Sequence, residues 1–384
     1  MPTIRLYDQT PYETEFNAII KTVEVEKKRT LITLNQTLFF PEEGGQECDE
    51  GTINGLTVTH VAIKDGVIIH TLKGRIEDLT PGMSVHGVID WTHRFDQMQN
   101  HSAEHLVSGI VHNHFGYDNV GFHLSRNEMT VDYNGPLSDE DIRFVEDQVN
   151  VAITSNVAIK CEYPDPSKLP EIDYRSKLEL TEDVRIVTVE GYDVCACCAP
   201  HVRTTGEIGQ LRIIRWIRNK QGIRLWLIAG QRALKYEQKD FDNLTEIYHL
   251  LSANQTSVVK HVNRLNEENG QLKKAMHDMA LHYMQEKVEQ LKTQTHIYLF
   301  EDNLSSGMIR DMINYMLEVS AGYVGVFNGN DQQGYRYVIA AKSLDARTIG
   351  TLLRDAGGKG GGKMEMIQGF IKLTHDELSG LLPH

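Results

Sequence analysis

Two short motifs far apart in the chain constrain its fold more than any other feature: His101-Ser-Ala-Glu-His105 and Cys197-Cys-Ala-Pro-His201. Each holds two metal-binding side chains four residues apart. On a helix that spacing puts both side chains on one face, about a turn apart. Three imidazoles and one thiolate make the nitrogen–sulfur donor set that suits tetrahedral zinc. Ligands drawn from such distant segments cannot close a local finger, so the fold must assemble the site. One zinc ion per chain is therefore expected, held by His101, His105, Cys197 and His201.

The surroundings of the first motif favour burial over a solvated pair of imidazoles. Met98, Leu106 and Ile110 recur with the histidines at helical spacing, so the pair runs beside an apolar stripe. The second motif lies in a cysteine-dense stretch, with Cys195 and Cys198 beside Cys197. Packed, inert thiols are the alternative reading there, and either neighbour could stand in for Cys197. Glu104, within the first motif, sits three residues after His101 rather than next to it. The general-base role of a His-Glu-x-x-His helix does not transfer to it.

At 384 residues the chain exceeds one ordinary core. It has no apolar run long enough to span a membrane, and its opening lacks the pattern of a secretory signal. Five cysteines, three of them clustered, fit a reducing compartment, and the cytoplasm is expected. A net charge of −14 argues against general attraction to nucleic acid. One stretch departs from that average. No acidic residue occurs between Glu207 and Glu237, whereas Arg212, Arg215, Arg218, Lys220 and Arg224 lie there with Trp216 and Trp226. Basic residues interleaved with aromatics suit a phosphate backbone, and these five are the expected contacts. The alternative is a solvated strand whose arginine stems cover apolar surface.

The periodicities predict an α+β chain in four parts. Residues 1–90 read as a β-rich, barrel-like subdomain with strands at Ala18–Val25, Arg29–Leu34, Leu56–Lys64, Gly66–Leu72 and Ser84–Asp90. Asp65-Gly66 between two alternating runs is a hairpin signal. Residues 91–236 read as a zinc-binding α+β domain: a helix from Trp91 to about Phe115, a strand at Glu128–Tyr133, and a helix opening at Ser138. Strands follow at Val151–Tyr163 and Val184–Val189, then a hairpin of Leu211–Trp216 and Ile223–Ala229. Residues 237–294 read as one long helical segment. Val258, Val262, Leu265, Asn269, Leu272, Met276, Met279 and Tyr283 alternate four and three apart, the seam of a coiled coil. That seam predicts either a homodimer or an intramolecular helical hairpin. Residues 295–384 read as a small α/β domain in which the glycines around Lys359 and Lys363 either leave backbone N–H groups bare to cradle an anion or simply form a flexible turn after a helix.

Three blocks together resemble one family. Leu34–Gln46, containing Thr37, Pro41, Gly44, Gly45 and Gln46, resembles the glycine–glutamine turn of alanyl-tRNA synthetase editing domains. The two metal motifs resemble the zinc motifs of those domains. The helical segment and the glycine–lysine stretch resemble the synthetase's C-terminal oligomerisation and tRNA-binding domain. No segment resembles the aminoacylation domain. The chain is thus similar to free-standing alanyl-tRNA editing proteins of the long AlaX type. It departs from their second motif at Ala199 and Pro200, where the family carries glycine and threonine. Cys197 keeps the family's four-residue interval to His201 and is preferred to Cys195 and Cys198 on that ground.

The resemblance implies hydrolysis of the ester that joins a wrongly attached serine, or glycine, to the 3′ end of alanine tRNA. A small apolar pocket rejects such residues weakly, so a second site must read the difference. By resemblance Thr37 reads the serine hydroxyl, with Gln46, Gly44 and Gly45 holding the substrate and Lys359 and Lys363 contacting tRNA. The catalytic group is not assigned, a zinc-bound water being one candidate. Other classes remain open: a different zinc hydrolase, a threonyl-type editing protein, or a non-catalytic zinc protein that binds tRNA.

Overall fold

Alternation between buried and exposed positions along Glu15–Val25 and Arg29–Leu34 marks strands with one wet and one dry face. In the computed structural model, which describes residues 2–176, 184–219 and 222–384, these strands close a six-stranded antiparallel barrel. The ring runs Glu15–Val25, Arg29–Leu34, Val67–Lys73, Leu56–Lys64, Gly51–Ile53 and Ser84–Ile89, which pairs back onto the first strand. Asp65 and Gly66 take φ of 51° and 74°, the double left-handed turn that matches strand twist in a two-residue hairpin. Phe16, Ile20, Ile32, Leu34, Phe39 and Ile53 fill the interior.

The chain divides into two compact units, Met1–Thr245 and Glu246–His384. In the first, Asp90 caps a helix over Trp91–Phe115 by accepting from the His93 N–H, and Gly116 ends it with φ of 71°. This helix is buried on nearly every side. It packs against the Asp139–Ser155 helix and the Asp193–Ala196 strand. Beside it lies a four-stranded sheet ordered Leu211–Asn219, Gly222–Ala229, Met129–Tyr133 and Asn119–Leu124. A three-stranded sheet of Ile159–Glu162, Ile186–Val189 and Asp193–Ala196 completes the unit.

The strand expected at Val151–Tyr163 is a helix over its first part. Ile142, Val145, Val149 and Ile153 are buried at helical spacing, and the helix stops only at Asn156, with φ of 51°. The strand is confined to Ile159–Glu162.

The long helical segment also differs from expectation. It forms two helices, Gly230–Leu251 and Val258–Leu291. Between them Ser252 is left-handed, and the Asn254 side chain accepts from the N–H groups of Thr256 and Ser257. Such local hydrogen bonding competes with helix continuation. In the second helix Met284 and Val288 are buried, whereas Leu272, Met276 and Met279 on the seam are exposed. Among the described residues, no helical hairpin covers that seam.

The second unit carries a five-stranded sheet ordered Ile297–Glu301, Val324–Asn330, Gly334–Ala340, Met366–Ile371 and Lys359–Gly362. The expected glycine–lysine anion cradle is instead this edge strand, laddered to Met366–Ile371. Of its glycines and their neighbours only Gly357 has positive φ. Lys359 and Lys363 are exposed. No helix among the described residues is long and apolar enough to cross a membrane.

Candidate metal centre

His101 and His105 project from one face of the buried helix, and the loop after the Asp193–Ala196 strand brings Cys197 and His201 against them. One donor atom from each of the four residues lies within 4.8 Å of every other. Cys197 Sγ is 3.5 Å from His101 Nε2 and 3.4 Å from His201 Nε2. A tetrahedron with zinc bonds of about 2.0–2.3 Å has edges of roughly 3.3–3.8 Å, so these spacings are those of a shared coordination sphere.

The second nitrogen of every imidazole has an oxygen partner. His101 Nδ1 is 2.7 Å from Gln46 Oε1, His105 Nδ1 is 2.8 Å from Asp193 Oδ2, and His201 Nδ1 is 3.0 Å from Ser102 Oγ. The tautomer protonated at Nδ1 donates to all three oxygens and leaves each Nε2 lone pair for a cation. Outer contacts of this kind orient metal-ligating histidines. Burial, then the neighbouring His105 and His101, holds His201 well below the ordinary histidine range. It is thereby kept in the neutral form a metal requires. Burial likewise pushes the Cys197 thiol well above its ordinary value, with Cys198 adding to the shift. A thiolate there needs a nearby cation.

Asp193 is fixed in turn. Burial opposes its charge, but hydrogen bonds from His105 and Arg175, with the charge of Arg175, outweigh burial and hold its carboxyl below the usual range. Arg175 grips both of its oxygens, at 2.7 and 2.9 Å. Arg185 ties down the second motif by donating to the carbonyls of Cys197 and Ala199. Sequence reasoning missed Ser102, Asp193, Arg175 and Arg185. The only available signals were the position of Ser102 inside the first motif and of Asp193 just ahead of the cysteines.

Of the neighbouring thiols, Cys198 faces the glycine turn, where its Sγ would lie 3.4 Å from a Cβ on Gly44. Cys195 lies near His105 and Asp193 rather than completing the quartet. Gly45, with φ of 84°, backs onto Phe122 so closely that a Cβ would stand 2.5 Å from its carbonyl oxygen. That approach seats Gln46 against His101. Thr37 is fully buried, its Oγ1 lying 2.9 Å from His70 Nε2 and accepting from the Phe39 N–H. Glu104 accepts from Ser108 and Asn119, a packing role. A cavity of about 550 Å³ opens on His201 and is bordered by Tyr12, Arg185 and Arg203.

The basic hairpin is partly neutralised. Arg212 pairs with Glu146 at 2.9 Å, and Arg224 binds both oxygens of Asp132 at 2.6 Å. Arg215 stacks on Trp226 at 4.6 Å, and Arg218 is exposed. Lys220 lies outside the described residues.

Residues 184–225 match the model of the threonyl and alanyl tRNA synthetase second additional domain, and residues 3–93 match that of class II (A) tRNA synthetases. The chain is 25% identical to the alanyl-tRNA editing protein AlaX-L of Pyrococcus horikoshii over 406 residues, covering 97% of this chain and 96% of that one. The chain is similar to alanyl-tRNA editing proteins. It is also 29% identical to the alanine–tRNA ligase of Ignicoccus hospitalis, over 94% of its own length but only 40% of the ligase. It is 28% identical to the alanyl-tRNA editing protein Aarsd1 of Danio rerio, over 64% of this chain and 60% of that protein. The chain thus spans less than two thirds of the length of these last two relatives. The second-additional-domain match takes in both Cys197 and His201.

Proposed function

We propose that the chain hydrolyses the ester between a wrongly attached amino acid and alanine tRNA, chiefly serine and also glycine, and that it binds one zinc ion at His101, His105, Cys197 and His201. The observation that carries this reading is the convergence of four donors whose three imidazoles are each held at Nδ1 by an oxygen. When bound, zinc would supply Lewis acidity, polarising the ester carbonyl or lowering the pKa of water.

The chain's own groups do the rest. Gln46, Asp193 and Ser102 orient the imidazoles, and Arg185 fixes the loop that carries Cys197. The cavity beside His201 admits the acceptor end, with Arg203 held over the Tyr12 ring at 3.9 Å. Thr37, whose hydroxyl meets His70, reads the serine hydroxyl from the barrel side of the site. The turn of Gly44 and Gly45 brings Gln46 to it. Arg215 and Arg218 reach the tRNA backbone, together with Lys359 and Lys363 on the second unit. The exposed seam of the Val258–Leu291 helix supports pairing of two chains. The cytoplasm is the compartment in which mischarged tRNA would be met.

The test is release of labelled serine from serine-charged alanine tRNA, with alanine-charged tRNA as control and zinc measured on the same preparation. No serine release by zinc-replete protein overturns the reading. Equal release of alanine leaves hydrolysis standing but removes the selectivity. A four-donor set also suits an ion that only holds the fold, and zinc without hydrolysis would favour that second reading.

A further inference from the structure

Tyr12, Arg203 and the metal-site residue His201 line one cavity. The Tyr12 hydroxyl donates to Glu207 Oε2 and accepts from the Arg203 N–H at 3.0 Å. The Tyr12 ring lies against Trp91, with centroids 5.4 Å apart, and edge-on to Phe95 at 6.4 Å. Its position is therefore fixed at both ends. On this ring rests the Arg203 guanidinium, 3.9 Å from the centroid. One face of the guanidinium is covered in this way, whereas Arg203 as a whole is exposed. No carboxylate among the described residues pairs with the guanidinium, since the nearby Glu207 carboxylate accepts from the Tyr12 hydroxyl and the Arg203 main chain. A planar cation laid flat on a rigid ring, with no counter-ion, presents its other face for a second planar group to stack on.

We infer that Arg203, backed by Tyr12, stacks on the terminal adenine of the tRNA acceptor end and so sets the aminoacyl ester at the metal centre. The inference rests on the function proposed above. The ester hangs from the last ribose of a single-stranded end, so the base of that nucleoside enters the site with it. His201 and Arg203 are two residues apart, at most about 7 Å of chain, which is the scale of one nucleoside. The cavity they share, of about 550 Å³, is of ligand-binding size. Unpaired bases are commonly held by stacking on aromatic rings and on guanidinium planes. Here the ring fixes the guanidinium, and the guanidinium carries its charge to the π face of the base. A phosphate would accept either lysine or arginine at this place, whereas a base needs the plane as well as the charge.

The probe is 3′-seryl-amido-3′-deoxyadenosine, in which an amide replaces the ester, compared with the same compound carrying hydrogen in place of adenine. The full, zinc-replete parent should bind the adenine compound about tenfold more tightly. Arg203→Ala removes the cation, and Arg203→Lys keeps the charge but loses the plane. Both variants should bring the two compounds to within about twofold of each other, with zinc content unchanged. A preference retained in either variant overturns the inference, and retention in Arg203→Lys alone assigns the residue to charge attraction instead. A parent that shows no preference for the adenine compound overturns it too. If one variant fails to fold, the other decides. Serine release from charged alanine tRNA is measured on the same parent preparation. Its absence removes the proposed function separately, while the binding comparison still decides whether Arg203 stacks on the base.

Discussion

His105 Nδ1 lies 2.8 Å from Asp193 Oδ2, joining the first metal motif to the strand that leads into the second. One buried hydrogen bond therefore orients an imidazole and fixes the separation of the two motifs. Asp193→Asn keeps the shape but weakens the acceptor. Zinc affinity should fall by about 10–100-fold, read by competition with a chromophoric chelator. An unaltered affinity would show that His105 is positioned by packing alone.

The three clustered thiols should separate cleanly. Cys197→Ala should lose stoichiometric zinc and serine release together, whereas Cys198→Ala, whose sulfur faces the glycine turn, should keep both. Elemental analysis of the purified variants checks this. Zinc retained in Cys197→Ala would move the ligand role to a neighbouring cysteine.

Gly109 carries a prediction of sign. In an open helix, Gly→Ala stabilises by about 1 kcal/mol. Here an added Cβ would stand 2.4 Å from the Tyr192 carbonyl oxygen, where the helix crosses the hairpin before Asp193. Backbone cannot rotate away as a flexible side chain can. Gly109→Ala should therefore destabilise by about 1–3 kcal/mol in urea unfolding, and a stabilised variant would show that the crossing can open.

His70 makes stability depend on pH. Burial lowers its folded pKa from an ordinary 6.5 to about 4. Between these values the unfolded chain holds a proton that the folded chain does not, so stability falls as pH falls from about 6.5 to about 4. The slope for one proton is about 1.4 kcal/mol per pH unit. His70→Gln, which keeps a partner for Thr37, should flatten the dependence of Tm on pH across that window. A slope identical to the parent's would place the titration elsewhere.

Neutralising Arg215 and Arg218 together should weaken tRNA binding and reduce its log–log salt slope by about 1.8, the expectation for two lost phosphate contacts. Arg224→Gln should change the slope less, because Asp132 already holds that guanidinium by two hydrogen bonds. Filter binding from 50 to 300 mM salt, about the range over which such slopes are read, would show it. Equal slopes in all variants would return the hairpin to an ordinary solvated face.

Features written in short-range pattern were legible from sequence. Alternation marked the strands Arg29–Leu34 and Leu56–Lys64, and Asp65-Gly66 marked the turn that joins two of the barrel's strands. The capping residue Ser138 marked the start of its helix. The misreadings came where two periods compete over few residues. Val151 and Ile153 alternate as in a strand, yet they continue the helical stripe of Val145 and Val149. The glycine–lysine run has no side-chain pattern, so its ladder with Met366–Ile371 could not be read from it.

The sequence by itself determined which residue types can bind a metal and at what interval, because helix geometry translates spacing directly into shared faces. Only tertiary structure decided what those residues meet. Gln46, Asp193 and Ser102 contact imidazoles 55, 88 and 99 positions away in the chain. Asp132 and Glu146 come from separate elements to neutralise a stretch that contains no acid of its own. Gln97 looked like any glutamine on a helix until packing removed both water and partners from its amide. Local pattern is set by neighbours in the chain. Hydrogen-bond satisfaction is set by whatever the folded interior brings within 3 Å or so.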